Sequence, residues 1–568
     1  MDLKLIGAAA TDAEKAAIAD AVPSAIDTEV SGRVVRTTRS LRHHLLPAID
    51  AVQSSIGWVS PGAIDEIARR LQVPPAEIFA VASFYALVST EERPTTVAHV
   101  CDDIACGPAL GASLADRPDV VASPCLGQCD RRPAAYIQRA GADDAVLVSA
   151  TEEDVLAALE GRKPAEEPPH IASGPLLERV GNVDPCSLEG YRHRGGYDAL
   201  ARALEMGGDA VIAEVAASNL RGRGGAAFPT GVKWKGARDE PGPRYLICNA
   251  DESEPGTFKD RVVMEGDPFS VIESMTIAGA AVGAEQGYIY VRGEYPTATR
   301  RLIAAVGAAR QAGLLGDDVM GSGVTFDIEV RRGQGAYICG EETALFNSIE
   351  GYRGEPRQKP PFPTVNGLFG RPTVVNNVET LINVPRIVLD GGQAYSATGT
   401  PDSPGTRLFC LSGNVANPGV YELESPTTLG EALTAAGGKL GEIPYVLLGG
   451  AAGSLIGSDH WDMPLTFDGS RAAGLTLGSG VIMAFGQHSD MHEVVRRVAQ
   501  FFRDESCGQC VPCRVGTVRV EEAVARADGS VDSALIDDID RAMKDASICG
   551  LGHTAGSVVR SAIELGIL

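Results

Sequence analysis

Residues 220–231 read LRGRGGAAFPTG, and this glycine-rich segment sets the expectations for the fold and the chemistry of the surrounding chain. Its loop glycines are Gly222, Gly224 and Gly225. Without side chains, they let backbone N–H groups approach a phosphate closely. Arg221, Arg223 and Lys233 add positive charge in a chain of net charge −24. The segment indicates a phosphate-binding loop, but a plain turn stays an alternative, since the spacing is not the dinucleotide fingerprint.

Three further polar runs accompany this loop. The apparent strand RYLICNA, residues 244–250, leads into Asn249, Asp251, Glu252 and Glu254. Polar groups at the carboxyl end of a strand lie where α/β sheets bind ligands. The other two runs are Gly340-Glu341-Glu342 and Asn376-Asn377-x2-Thr380. An acidic run is usually a solvated face, but these runs lack helical periodicity, so we expect them to converge on one site.

Eight of the twelve cysteines form two groups of four. The C-terminal quartet is Cys507-x2-Cys510-x2-Cys513 with Cys549. Three thiolates on one tight loop with one remote thiolate are typical of a [4Fe–4S] cluster. The N-terminal quartet is Cys101-x4-Cys106 with Cys125-x3-Cys129, whose wider spacing suits a two-iron cluster held from two loops. Zinc stays an alternative for both quartets, because four thiolates suit either metal.

The other four cysteines fall singly, at Cys186, Cys248, Cys339 and Cys410. We expect them to be buried packing thiols, as free cysteine commonly is. The nine histidines show no metal-binding spacing. His43, His44 and His492 are interpreted as ordinary helix residues, whereas His553, four residues after Cys549, is a candidate neighbour of the cluster.

The glycine-rich loop and the cysteine quartets together predict a protein that transfers electrons between cofactors. Iron–sulfur clusters move single electrons, whereas a nicotinamide accepts a hydride. A flavin connects the two. A phosphate-binding loop in a chain that also carries cluster ligands therefore predicts FMN between a nicotinamide and a cluster.

Changes of pattern along the chain predict several domains. We expect a helical bundle over 1–92, a compact α/β unit over 93–160 and a Pro-rich linker over 161–176. Next come a long α/β block over 177–400, a small β-rich domain over 401–487 and a helical end over 488–568.

Composition limits the function classes. A formal net charge of −24 opposes nucleic-acid binding and docking on anionic membranes. The N-terminus has no signal-peptide pattern, and no window of about 18 residues is apolar enough to span a bilayer. Twelve cysteines among 568 residues are too few for a disulfide-stapled secreted fold. We therefore expect a cytoplasmic protein with no direct membrane insertion.

At these residues the chain resembles a known family. Residues 177–568 resemble the 51-kDa-type flavoprotein subunit of respiratory complex I, and residues from about 30 to 160 resemble its 24-kDa-type subunit. The resemblance implies a multidomain α/β and α+β fold. In the implied order, the helical bundle is followed by a thioredoxin-like [2Fe–2S] domain. After these come a Rossmann-like FMN domain, a small ubiquitin-like β domain and a C-terminal helical bundle that holds a [4Fe–4S] cluster.

The resemblance also implies roles for the motif residues. The residues implied for FMN are Gly222, Arg223, Gly224, Lys233, Asn249, Asp251, Glu252, Gly340, Glu341, Asn376, Asn377 and Thr380. Those implied for NAD(H) are Phe228, Glu254, Tyr337, Glu342, Lys359 and Phe362. Glu342 is the candidate catalytic residue, tuning the stack of nicotinamide on flavin. Both cysteine quartets are implied as cluster ligands.

Alternatives stay open at four of these positions. The alternative for Phe228 and Phe362 is a place in the apolar core. For Lys359 it is an ordinary charge on a loop, and for Glu342 it is the cap of a helix. The family often has an aromatic residue two places after the Trp of its Lys-Trp pair. In this chain that position is Gly236, so the aromatic ring that would stack on the adenine of NAD(H) is missing there.

Fusion of the two halves is familiar from soluble NAD-linked formate dehydrogenases and NAD-reducing hydrogenases. Many hydrogenase fusions lack the N-terminal cluster cysteines, whereas this chain has all four. We therefore expect a diaphorase beta subunit that serves a molybdenum or tungsten formate dehydrogenase and reduces NAD⁺ reversibly. A hydrogenase diaphorase, a complex I-like module and a non-enzymatic electron-transfer scaffold are the alternatives.

Overall fold

The computed structural model describes residues 5–22, 27–30, 33–36, 38–107, 110, 114–162, 168–172, 174–526 and 531–568. The sequence also predicts a helix over 107–117, of which residues 108–109 and 111–113 lie outside the described residues. Among the described residues, no helix is long and apolar enough to cross a bilayer.

The N-terminal part is a small helical bundle with one hairpin. Its elements are α1 (Asp12–Ala21), β1 (Asp27–Val30), β2 (Arg33–Arg36), α2 (Leu45–Ile56), α3 (Pro61–Leu71) and α4 (Pro75–Ala82). Thr11 and Glu14 form a capping box at α1, and Ser60 caps α3 with Pro61 at its first position. The hairpin is antiparallel and had no counterpart in the sequence-based expectation.

The next unit has a four-stranded sheet in the order β4-β3-β5-β6. Its elements are β3 (Thr96–Cys101), β4 (Val120–Ser123), β5 (Ala135–Arg139), β6 (Ala145–Leu147) and α5 (Glu152–Leu159). Strands β3 and β4 are parallel and the other pairs antiparallel. This unit has an apolar core of its own.

The central α/β domain has a four-stranded, wholly parallel sheet. Its strands are β8 (Tyr245–Ala250), β9 (Gln286–Val291), β10 (Asp327–Arg332) and β11 (Thr373–Asn377), in the order β10-β9-β8-β11; β7 (Ile171–Ala172) precedes them in the chain. Its helices are α6 (Leu188–His193), α7 (Asp198–Met206), α8 (Gly208–Ala217), α9 (Thr230–Asp239), α10 (Lys259–Gly266), α11 (Pro268–Val282), α12 (Pro296–Gln311), α13 (Glu342–Ile349), α14 (Val378–Ile382), α15 (Val384–Asp390) and α16 (Gly392–Ser396). Nearly every residue of α11 is buried, which makes it the central helix of the domain.

A β-rich domain follows a short hairpin of β12 (Gly399–Thr400) and β13 (Ser403–Pro404). Its elements are β14 (Thr406–Gly413), β15 (Gly419–Glu424), α17 (Leu429–Ala435), β16 (Tyr445–Leu448), β17 (Ser454–Ile456), α18 (Phe467–Ala472) and β18 (Val481–Phe485). The sheet runs β17-β16-β18-β14-β15-β7. Strand β7 comes from the segment predicted as a linker, so part of that segment is the edge of this sheet.

The C-terminal part is helical, as predicted. It contains α19 (Met491–Asp504), α20 (Val511–Ala525), α21 (Ser533–Ala546), α22 (Gly550–Thr554) and α23 (Ser557–Glu564). Its apolar side chains belong to the same large core as those of the N-terminal bundle and the central domain. These three parts therefore pack as one body around the central sheet.

The single cysteines divide into two kinds. Cys248, Cys339 and Cys410 are buried, as expected of packing thiols. The expectation was wrong for Cys186, which is exposed. Cys186 lies in the turn before α6, where its N–H donates to Asp184 and no apolar face covers the side chain.

Candidate functional site

The predicted convergence of polar runs occurs at one edge of the central sheet. Strands β8 and β11 are parallel neighbours whose register pairs Asn249 with Asn377. Both strands therefore deliver their polar carboxyl ends to the same edge, where open α/β sheets form ligand crevices.

Asn249, Asp251 and Gly340 form the centre of this edge. Asn249 Nδ2 donates to the Gly340 carbonyl oxygen at 2.8 Å. A Cβ at Gly340 would lie 3.4 Å from the Asp251 carbonyl oxygen and 3.6 Å from Asp251 Oδ2. The same Oδ2 is buried and has no hydrogen-bond partner. The site thus offers a buried, unpartnered carboxyl oxygen beside a backbone without a side chain, which fits the polar edge of a planar flavin ring.

The glycine-rich loop lies against the end of β11. The backbone N–H of Arg223 donates to Thr380 Oγ1 at 2.8 Å. A Cβ at Gly224 would lie 3.1 Å from the Cβ of Asn377, so only glycine fits without displacement. We call the group Asn249, Asp251, Gly340, Gly224, Asn377 and Thr380 the strand-end cradle.

Asn376 and Lys233 connect helix α9 to the same strand. Trp234 Nε1 donates to Asn376 Oδ1 at 2.8 Å, and Lys233 Nζ donates to the Val375 carbonyl oxygen at 2.9 Å. Burial lowers the pKa of Lys233, as does the nearby charge of Lys359, while Glu342 opposes the shift. A desolvated ammonium beside the cradle is a natural partner for a phosphate or a flavin carbonyl.

Two of the residues predicted to contact the flavin, Arg223 and Glu252, have side chains that are bonded to other protein groups. The guanidinium of Arg223 is buried and donates to the carbonyl oxygens of Pro404 and Thr406, at 2.8 and 3.3 Å. The Glu252 carboxylate accepts the N–H groups of Asp260 and Arg261, both at 2.9 Å, at the start of α10. Both side chains are bonded to other parts of the protein, and direct contact with FMN stays a prediction for each.

The two aromatic residues predicted to contact NAD(H), Phe228 and Phe362, are exposed to solvent. Phe228 is 48% exposed and Phe362 60% exposed, so the alternative that they are core residues was wrong. Lys233 Nζ lies 5.9 Å from the centre of the Phe228 ring, which places that ring beside the cradle. An exposed ring next to a polar crevice is a surface on which a planar ligand can stack, and for Phe362 a place beside the cradle stays a prediction.

Lys359 is held by two carboxylates. Its Nζ donates to Glu341 Oε1 at 2.8 Å and to Glu342 Oε1 at 3.0 Å. Burial lowers the pKa of Lys359, but the charges of Glu342 and Glu341 raise it overall. Glu341, rather than Glu342, caps α13, by accepting the N–H groups of Thr343 and Ala344. The carboxylate of Glu342 is therefore not committed to the helix.

Glu254 and Tyr337 connect the central domain to its neighbours. The Glu254 carboxylate accepts the Ala452 N–H at 3.0 Å and the Ser479 hydroxyl at 2.6 Å, both from the β-rich domain. The Tyr337 ring centre lies 5.0 Å from that of Phe501 on α19. Contact of either residue with NAD(H) stays a prediction.

The C-terminal quartet lines one small pocket. Its walls include the four cysteines Cys507, Cys510, Cys513 and Cys549. Two helix N-termini meet there, because Cys510 precedes α20 and Cys549 precedes α22. A Cβ at Gly552 would lie 3.1 Å from the Cβ of Cys513, so glycine lets the two segments approach. This geometry fits a four-iron cluster.

In the iron-free chain the thiols of Cys513 and Cys549 hold their protons at neutral pH. Burial raises the pKa of Cys513 to about 11 and that of Cys549 to about 12. Binding of iron must therefore displace protons from both. His553, the candidate neighbour, has its ring Nε2 3.0 Å from the Ser547 carbonyl oxygen, which ties it to the loop that carries Cys549.

The N-terminal quartet also converges. Cys125 and Cys129 lie on one loop with their sulfurs 3.4 Å apart. Cys101, at the end of β3, is close enough to interact with both Cys106 and Cys125. In the described part of the chain no three His, Cys, Asp or Glu side chains are spaced for a single metal ion. A two-iron cluster needs wider spacing, because its ligands bind two irons.

Two buried arginines, Arg261 on α10 and Arg292 after β9, were not predicted from the sequence. Arg261 forms a two-pronged, fully buried ion pair with Asp130 of the N-terminal cluster domain, at 2.8 and 2.9 Å. Arg292 directly follows β9 and contacts Glu294. Arg292 lies at the carboxyl end of a strand, as Asp251 does, and that position is recognisable from the sequence. No local pattern marks Arg261, because its partner lies in another domain.

Comparison with known proteins agrees with this architecture. Four family models match: the Nuo51 FMN-binding domain at residues 215–386, the NADH-ubiquinone oxidoreductase-F iron-sulfur binding region at 493–565, the thioredoxin-like [2Fe-2S] ferredoxin at 32–119 and the SLBB domain at 408–445. The thioredoxin-like match ends before Cys125 and Cys129.

Relatives cover most of the chain. The F subunit of the NADH-quinone oxidoreductase of Aquifex aeolicus is 45% identical over 68% of this chain and 92% of its own length. The HndC subunit of the NADP-reducing hydrogenase of Solidesulfovibrio fructosivorans is 41% identical over 68% of this chain and 80% of its own length. A crystal structure of an NAD⁺-reducing [NiFe]-hydrogenase in the H2-reduced state superimposes with a TM-score of 0.78. That structure is 33% identical and covers 93% of this chain and 91% of its own.

Cradle, quartets and comparisons define the class: an NAD-dependent oxidoreductase subunit that carries FMN, one [4Fe–4S] cluster and one [2Fe–2S] cluster. The chain belongs to the family of the F subunits of NADH-quinone oxidoreductases, here fused to a thioredoxin-like [2Fe–2S] domain. The predicted multidomain fold and the predicted cofactors are thereby confirmed, and zinc is set aside for both quartets.

Replacing Gly236 by Phe is expected to tighten NADH binding. The atoms nearest to a Cβ at Gly236 would be those of Thr364, at 3.9 Å, which is ordinary contact, so the local space accepts a side chain. Stacking of an aromatic ring on a base is worth about 1–3 kcal/mol, so we expect the KM for NADH to fall by roughly fivefold or more. Gly307→Phe on α12 is the matched control, and an unchanged KM in Gly236→Phe would place adenine elsewhere.

Asp251→Asn is expected to change how stability depends on pH in the flavin-free chain. Burial raises the pKa of Asp251 to about 8, against an ordinary value near 4 in the unfolded chain. Between these values the folded state binds the extra proton, so stability falls as pH rises from about 4 to about 8. Denaturant unfolding across that range should show a shallower decline in Asp251→Asn. Parallel profiles would contradict the assigned protonation of Asp251.

Proposed function

We propose that this chain is the cytoplasmic diaphorase subunit of a multi-subunit enzyme. In this proposal it takes electrons from a catalytic partner through the four-iron cluster and reduces NAD⁺ to NADH, reversibly. When bound, FMN exchanges a hydride with the nicotinamide and single electrons with the clusters. The protein residues bind, orient and shield these groups.

The single observation that carries the proposal is the placement of residues Tyr337–Gly340. This short helix has Gly340 in the strand-end cradle, where its carbonyl oxygen accepts Asn249 Nδ2. Two residues earlier, Ile338 lines the pocket of the C-terminal quartet. One helical turn thus separates the proposed flavin site from the proposed four-iron site, which supports direct electron transfer between them.

The proposed nucleotide site lies on the solvent side of the cradle. The exposed rings of Phe228 and Phe362 supply stacking surfaces, and Lys359 presents a positive charge held by Glu341 and Glu342. In this arrangement Glu342 acts by charge, tuning the stack of nicotinamide on flavin. Nothing in the geometry requires it to accept a proton, since hydride transfer needs only close, face-on contact of the rings.

For the partner we propose a molybdenum or tungsten formate dehydrogenase. The support is the complete N-terminal quartet, whose thiols converge as a two-iron site requires. A hydrogenase partner is the second candidate, favoured by the NAD⁺-reducing [NiFe]-hydrogenase structure that covers nearly the whole fused chain.

The test of the partner is affinity purification of the full chain from its native host, with metal analysis of the complex. Stoichiometric molybdenum or tungsten with formate-dependent NADH formation would support the first candidate. Nickel with hydrogen-dependent NADH formation would replace it by the second. Purification with membrane subunits that reduce quinone would favour a complex I-like module instead.

A further inference from the structure

A buried ion pair lies between the two cofactor regions of the chain. Arg292 is 2% exposed and Glu294 is 5% exposed. The Arg292 guanidinium donates through Nη2 to Glu294 Oε1 at 3.0 Å and through Nε to Oε2 at 3.2 Å. Both residues come from the segment that follows β9, at the carboxyl edge of the central sheet.

The same guanidinium also binds a loop on each side. Nη2 donates to the carbonyl oxygen of Cys125 at 2.6 Å, and Nη1 donates to the carbonyl oxygen of Glu252 at 2.7 Å. Cys125 is a proposed ligand of the two-iron cluster, and Glu252 follows Asp251 of the cradle. A single buried cation therefore touches the ligand loop of one cofactor and the binding loop of the other.

The surroundings strengthen any electrostatic effect. Cys125, Arg292, Glu294, Ser253 and Tyr337 are among the residues that line a cavity of about 110 Å³ between the domains. The cavity is partly open to solvent, since Val121 in its wall is 43% exposed, but Arg292 and Glu294 themselves are almost fully buried. Charges at such a site are screened far less than charges at the surface, so they act strongly on a neighbouring redox centre.

We propose that Arg292 and Glu294 set the reduction potential of the two-iron cluster, Arg292 raising it and Glu294 lowering it. Reduction adds one negative charge to the cluster. A cation bonded to the ligand backbone stabilises that charge, and the carboxylate that pairs with the cation partly cancels its effect. The inference rests on the proposed two-iron ligands and is separate from the choice of partner enzyme.

The alternative is that the pair only clamps the two domains together. The Arg261–Asp130 pair already provides such a clamp, because it joins the same two domains with both residues fully buried. A clamp and an electrostatic device differ in one respect. Removing either half of a clamp has the same kind of effect, whereas removing opposite charges moves a potential in opposite directions.

The experiment is a redox titration of the full-length, cofactor-loaded chain, followed by the EPR signal of the reduced two-iron cluster. Arg292→Gln should lower the midpoint potential and Glu294→Gln should raise it. We expect the ratio of reduced to oxidised cluster at fixed potential to change about tenfold in each direction, which is about 59 mV for one electron. The double variant should lie between the single variants.

The matched control is Arg310→Gln, which breaks an exposed pair with Asp327 remote from both cofactors and should leave the potential unchanged. If Arg292→Gln does not assemble the cluster, Arg292→Lys keeps the charge and Glu294→Gln alone decides. Shifts of the same sign, or no shift in Glu294→Gln, would overturn the proposal. A missing two-iron signal in the unaltered chain would overturn the ligand assignment as well.

Discussion

Cys513→Ser is expected to remove the four-iron cluster while leaving NADH able to reduce the flavin. Cys513 lies in the first turn of α20 and lines the pocket of the C-terminal quartet. Serine is a poor ligand for cluster iron, so the chain should lose the four-iron EPR signal and about four irons. Electron exchange with the partner enzyme should fall by about a hundredfold or more, because the proposed path to the flavin passes through this cluster; such a loss corresponds to about 2.7 kcal/mol in the activation barrier.

The matched control is Cys186→Ser, the same change at an exposed cysteine far from either quartet in sequence. It should leave iron content, flavin content and activity unchanged. Full retention of the four-iron signal in Cys513→Ser would contradict the assignment of the C-terminal quartet. Loss of flavin reduction together with the cluster would instead show that the two sites are not separable.

Gly340→Val is expected to empty the flavin site. The backbone of Gly340 lies between Asn249 and Asp251, and even a single Cβ there would lie 3.4 Å from the Asp251 carbonyl oxygen. The two methyl groups of valine would project into the strand-end cradle and displace a planar ring. We expect FMN content to fall at least tenfold, with NADH oxidation falling in proportion, while both cluster signals persist.

Gly307→Val controls for the chemical change itself. Gly307 lies within α12, and a Cβ there meets no atom within 4 Å. Flavin extracted from each purified variant and measured by fluorescence against protein concentration is the readout. Normal FMN content in Gly340→Val would place the flavin away from the strand-end cradle.

The sequence predicted the position of the site better than the direction of its side chains. The strand followed by polar residues at 244–254 was recognisable because buried apolar runs and strand ends follow local rules. Register then placed Asn249 beside Asn377, as convergence required. By contrast, Arg223 turns its guanidinium toward Pro404 and Thr406, which the sequence places about 180 residues away.

Charges buried by contacts between domains were beyond the reach of local patterns. Arg261 looks like an ordinary polar residue in the sequence, yet it is fully buried because Asp130, in another domain, neutralises it. The capping of α13 by Glu341 instead of Glu342 depends on where the helix begins, and a shift of one residue decides it. Residues Ile171–Ala172 form a strand only because β15 offers an edge.

The spacing of the cysteines was the most informative pattern, because cluster geometry fixes how ligands are arranged. Each quartet converges, although its members come from separate segments. The pattern said nothing about Cys186, whose exposure depends on a turn that sequence composition does not reveal.

The most direct test of the central claim is anaerobic addition of NADH to the purified full-length chain without its partner. The proposed diaphorase should bleach its flavin absorbance promptly and then develop the EPR signals of both reduced clusters. A chain that retains its flavin and both clusters, yet shows no bleaching with excess NADH, would contradict the account and favour a non-enzymatic electron-transfer scaffold.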